Sequence, residues 1–113
     1  MRICGIHFPT VTELKDISHN NYIEMRAISI TSIFRLIADQ LTAAAEQGLT
    51  ETTIICFDSD YKCVNLHSVK DRDFILTKIM EVDENFSVDI RDHDYKKCSQ
   101  GKEYSGVDIT IKW

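Results

Sequence analysis

The chain has 113 residues, 43% hydrophobic and 27% charged, with a single proline, four glycines and a net charge of −5. That is the make-up of one globular domain that can hide about two thirds of its unfolded surface without disulfides, and it excludes a disordered or low-complexity chain. The acidic balance, with no basic run longer than Lys96-Lys97, argues against nucleic acid, and no segment reaches the ~18 apolar residues of a membrane helix.

Ile3, Ile6 and Phe8 suit a short edge strand, which Pro9 must end because it lacks the ladder amide. Thr10 or Thr12 can cap one or two helical turns, and His19-Asn20-Asn21 then punctuates the chain. The stretch Tyr22 to Ile30 reads equally as strand or helix. From Ser32 the pattern sharpens, with Ile33, Phe34, Ile37, Leu41 and Ala44 or Ala45 at three- and four-residue steps. This is the main helix, capped by Ser29 or Thr31 and closed by Gly48.

The run Thr52 to Phe57 is β-branched and apolar at consecutive positions, which predicts a strand buried on both faces, inside the sheet. Ser68, with Asp71 three residues on, caps a second amphipathic helix to about Met80. Phe86, Val88 and Ile90 alternate as a strand, and a twelve-residue polar loop from Asp92 to Glu103 leads to the last one. There Val107, Ile109, Ile111 and Trp113 alternate with polar residues, so Trp113 is expected under cover on the dry face.

These elements predict a two-layer α+β domain, a small mixed sheet of three to four strands packed against two helices. Residues 29–113 form the compact core and 1–28 an N-terminal arm. A right-handed crossover would make the first two core strands parallel, with the closing strand antiparallel to the second; a split arrangement would instead insert residues 107–113 between them. Ile37, Leu41, Ile55, Ile79, Val88 and Ile109 are the expected shared core.

Several groupings have chemistry to offer. Asp58-Ser59-Asp60 follows an apolar strand, where phosphotransfer folds hold Mg²⁺, but the Gly-Thr that follows in haloacid dehalogenase-type phosphatases is replaced by Tyr61-Lys62, which favours a solvated turn. Cys63, His67, His93 and Cys98 have the residue types of a zinc site without its usual spacing, so free thiols and solvated histidines are the simpler reading. Asp94-x-Lys96 matches an acidic-x-lysine nuclease element but falls in the polar loop. No cofactor or metal is expected. The four cysteines lack CxxC pairing and suit a reducing, cytoplasmic setting, with Cys56 a small core hydrophobe. Tyr95 and Tyr104, in and beside the long loop, and Trp113 are the candidate interaction residues.

A helix ending in Ala-Ala-Glu-x-Gly, an apolar strand, a capped helix and a strand pair finishing Val-Asp-Ile-Thr-Ile-Lys-Trp resemble, over residues 29–113, the small orphan α+β proteins of tailed bacteriophages. The resemblance implies a non-enzymatic virion or accessory protein that binds a protein partner or itself, with residues 1–28 as the docking arm. An inhibitor of a host protein, using the acidic surface as a plug or mimic, is the alternative, and a small metal-dependent enzyme the third reading.

Overall fold

The structure is a computed structural model. It describes residues 2–97 and 102–113, with side chains described for residues 3–93 and 105–113. The chain opens with a hairpin of β1 (Arg2–Ile3) and β2 (Ile6–His7), whose strands pair with each other and not with the main sheet. Its two-residue turn places both Cys4 (φ 52°) and Gly5 (φ 79°) in the left-handed region, as a tight turn matched to strand twist requires.

Helix α1 (Val11–Glu46) then runs 36 residues without a break, about 54 Å at 1.5 Å per residue. The expected punctuation at His19-Asn20-Asn21 does not stop it, and the ambiguous Tyr22–Ile30 stretch is helical. The first turn is fixed by Thr10, whose Oγ1 accepts the Glu13 amide at 3.2 Å. The last turn closes on Gly48 (φ 78°), with Leu49 N donating to Ala44 O at 3.0 Å and Gly48 N to Ala45 O at 2.9 Å. That pair of bonds satisfies two of the carbonyls a helix end leaves over.

Strand β3 (Glu51–Phe57), a 3₁₀ turn (Asp58–Asp60), α2 (Val69–Val82), β4 (Ser87–Lys97) and β5 (Lys102–Lys112) complete the fold. Ser68 caps α2 as expected, its Oγ accepting from Asp71 N at 3.2 Å. The α+β class is as the sequence predicted. The sheet, however, has the order β3-β5-β4 and is antiparallel at both joints instead of mixed. β3 and β4 do run in the same direction, but β5 lies between them.

This order makes β3 an edge strand, which corrects its placement inside the sheet. Helices cover one face only, so Ile54 and Cys56 point into the core while Ile55, between them, is 48% exposed on the open face. Ile55 therefore leaves the expected core set. Ile37, Ile79 and Ile109 are buried, with Leu41 and Val88 packed against them, and Ile33, Ile75, Val107 and Ile111 complete the centre. Burial raises the Cys56 thiol to about 11, as befits a core residue.

The polar segment expected as a long loop is mostly ladder: Asp92↔Val107 through Lys97↔Lys102 continue the β4–β5 pairing, and from Asp94↔Ser105 outward it runs beyond the end of β3. At the other pole the sheet stops at Lys112. Trp113 lies just past it, its N–H donating to Thr50 O at 2.9 Å, and its side chain keeps 40% of its surface exposed. The expected cover over Trp113 is thus incomplete, because α1 ends at Glu46 and leaves the ring at the rim.

The molecule is long. Its radius of gyration is 19.0 Å and its extents 66 × 39 × 25 Å, against about 13 Å for a compact 100-residue domain. The excess is the N-terminal half of α1. From Val11 to Ile28 every side chain but Arg26 is exposed, and Ser29 is the first buried residue along the helix.

Candidate functional site

Two features stand out above the framework: a charged cluster over the end of the sheet, and the projecting half of α1. The cluster forms where the loop after β3 folds back across the helix side of β4 and β5. His67 sits at its centre with a carboxylate on each ring nitrogen. Asp92 Oδ1 is 2.6 Å from Nδ1, and the Asp58 oxygens lie 2.7 and 2.9 Å from Nε2. Ser105 Oγ is 3.1 Å from the same Nε2. Arg72 ion-pairs with Asp92 through Nη2 and donates from Nε to Leu66 O at 2.6 Å.

Ser105, His67 and Asp92 have the spacing of a nucleophile–base–orienter relay, so their chemistry must be weighed. A base needs a free lone pair on the nitrogen that faces the serine. Here Asp58 is closer to Nε2 than Ser105 is, and a ring between two carboxylates is satisfied only as imidazolium, donating both N–H groups. Asp92 first, then Asp58, accordingly raise the His67 pKa, while Asp92 is held below the usual carboxylate range by His67 and Arg72. The arrangement clamps a loop and does not activate a serine.

The clamp carries a pH signature. A raised histidine pKa contributes stability that is fully present below the unfolded value of ~6.5 and is lost as pH rises through the folded pKa. The midpoint of urea unfolding should therefore fall above pH 6.5 in the wild type, and His67→Gln should flatten that part of the profile. A variant that keeps the full fall would show that His67 does not carry it.

The described zinc candidates are not brought together. His67 faces the helix side with Asp92, whereas strand alternation turns the next residue, His93, to the open face, its Nδ1 2.8 Å from Asp108 Oδ2. Cys63 is half-buried in a left-handed turn (φ 63°), its carbonyl accepting from Arg26 Nη1 at 3.0 Å. Cys98 lies outside the described residues. Among the described residues no group of three or more His, Cys, Asp or Glu is placed to hold a metal, since Asp58 and Asp92 flank His67 rather than converging on one point.

Asp94 and Lys96 fall on β4 and not in a loop, and Tyr95 stands opposite Tyr104 in the register; their side chains are outside those described. Asp58 forms the 3₁₀ turn and serves the clamp, with Asp60 exposed beyond it. Sequence reasoning selected Asp58 and His67 for other roles and missed Asp92, Ser105, Arg72 and the Arg26–Asp71 pair. Only Asp71, at the third position of a capped helix, carried a local signal.

An apolar groove of about 560 Å³ runs between α1 and α2, lined by Phe34, Ile37, Leu41, Ile79 and Phe86. Its charged lining residues, Lys78 and Glu81, pair with each other at 3.5 Å, so no polar group is left to orient a small ligand as binding pockets require.

The projecting half of α1 is different in kind. Val11, Leu14, Ile17, Tyr22, Met25 and Ile28 are between 36% and 68% exposed. At 3.6 residues per turn these six fall on one side of the helix. The core residues Ile33, Ile37 and Ala44 fall a quarter-turn and more around from the middle of that stripe, so the line of the stripe is largely offset from the face that α1 turns to the sheet. No known protein family, curated protein or solved structure matches the chain. Among the described residues no helix is long and apolar enough to cross a membrane.

Proposed function

We propose that this chain is a non-enzymatic interaction protein in which an α+β head anchors a helical arm, and that the arm's apolar stripe binds a protein partner. The observation that carries this reading is the exposed stripe itself. A helix in water is held mainly by packing of its apolar face, and the arm is weakened further by Thr12, His19, Asn20 and Asn21, which are poor helix formers. A stripe of six large apolar residues on such a segment is a face built to be covered. The paired His67 and the unoriented groove support a role without catalysis. Its setting, on the strength of the resemblance, is a virion or accessory protein of a tailed bacteriophage.

A photo-crosslinking residue at Ile17, in the producing cell, should give a discrete protein adduct, and the same residue at Asp16, on the far side of the arm, should not. Equal labelling from both positions, or none from Ile17, would end this reading. Recovery of the chain in purified particles, and not only in extracts of infected cells, would assign it to the virion.

A further inference from the structure

We infer that the partner of the arm is a second copy of this chain, and that two α1 helices pair in parallel, in register, about a twofold axis along residues 11–28. The inference rests on the reading of the arm as a binding element and adds the occupant. Two features point to it.

The first is extent. Six side chains of this size and exposure present roughly 100 Å² each, and with the stems of the flanking charged residues the face approaches the ~800 Å² per partner of a standard stable interface. A self-complementary helix stripe closes as a pair and leaves no unsatisfied face, whereas a ring or filament would need a second patch. The head packs on the Ile33, Ile37 and Ala44 face, centred about a third of a turn from the middle of the stripe, and touches the arm only at its root through Arg26 and Ser29, so the twofold sends the two heads to opposite sides.

The second is charge. Glu13 and Glu24 flank the stripe on one side, and Lys15 and Arg26 on the other. In a parallel twofold pair each flank meets the opposite flank of its partner, so Lys15 comes beside the acidic side of the second copy. An antiparallel pair would set like flank against like: with Leu14 over Met25 and Ile17 over Tyr22, Glu13 would approach Glu24 and Lys15 would approach Arg26. Among the described residues Arg26 is already held by Asp71, which leaves Lys15 as the cation of that flank for this contact. Asn21, in the middle of the stripe, would face its own copy, a polar pairing that fixes register in parallel helix dimers.

Sedimentation equilibrium of the purified chain should give twice the 13.0 kDa monomer mass at micromolar concentration. Leu14→Glu, at an exposed site remote from the head, should raise the dissociation constant at least tenfold with the near-ultraviolet spectrum of Trp113 unchanged. Lys15→Glu decides the direction: it should weaken a parallel pair several-fold, and Glu13→Lys in the same chain should restore it. Tighter association of Lys15→Glu would overturn the parallel arrangement in favour of the antiparallel one. A monomer at all concentrations, or a dimer that Leu14→Glu leaves intact, would overturn self-pairing through the stripe. If that monomer still gave an Ile17 adduct with a different protein, the binding arm would stand and only its occupant would change.

Discussion

Replacing Ile109 with alanine should cost about 2–5 kcal/mol of a total stability of about 5–15 kcal/mol, and Ile55→Ala well under half as much. Ile109 is fully buried at the middle of β5, the central strand, where it stands between Ile54 on β3 and Ile90 on β4 under both helices. Removing its branched side chain opens a cavity that none of three strands can close without breaking register. Ile55 lies one residue along from Ile54 and looks equivalent in sequence, yet it sits on the open face at 48% exposure. Its loss removes apolar area already half in water and leaves no void. Urea titrations of the two variants test the layering directly, and equal destabilisation would mean that the open face is covered.

What made Ile55 misleading is general to edge strands under one layer of helices. Ile54-Ile55-Cys56-Phe57 has no polar residue to break the run, so its pattern is that of a doubly buried strand although only Ile54 and Cys56 are buried. Where one face is wet and says so, the sequence was readable: Val107, Ile109 and Ile111 are all buried at the alternate positions of β5, and α2 begins at its Ser68 cap. The outer half of β4 was not readable, because the run from Asp92 to Lys97 has no alternation of apolar and polar residues to mark the ladder it forms with β5. The arm was hidden for a related reason. Val11, Leu14 and Ile17 do recur at helical spacing, but their stripe lies on a different side of α1 from Ile33, Ile37 and Ala44, so no single period spans the helix. The His67 clamp joins residues nine, twenty-five and thirty-eight positions apart, and no local pattern encodes such a meeting.

Arg26→Met should be the most damaging single change near the arm, at about 3–5 kcal/mol, because it strands a carboxylate that has been taken out of water. Asp71 is only 7% exposed, and it receives Arg26 Nη2 at 2.6 Å and Nη1 at 3.1 Å in a two-pronged contact, with Asn65 N at 2.8 Å. Methionine keeps the packing of the arginine stem but supplies no donor, so the charge of Asp71 loses most of its compensation. Asp71→Asn should cost less, since the Arg26 side chain, 24% exposed, can turn toward solvent. The pair also sets the acid limb of stability. Arg26 first, then the Asn65 amide, hold the Asp71 pKa below its ordinary value, so the contribution is present above the unfolded pKa of ~3.9 and is lost as pH falls through the lower folded value. Wild type should lose stability across that interval and Arg26→Met should lose less, which urea midpoints between pH 2 and 5 would measure. The consequence reaches past the head: Arg26 Nη1 and Ser29 Oγ, at 3.0 and 2.7 Å from the Cys63 and Lys62 carbonyls, tie α1 to the loop after β3 at the point where the arm leaves the domain. Amide exchange along residues 11–25 should accordingly quicken in Arg26→Met, and unchanged protection there would show that the arm is held by something other than its root.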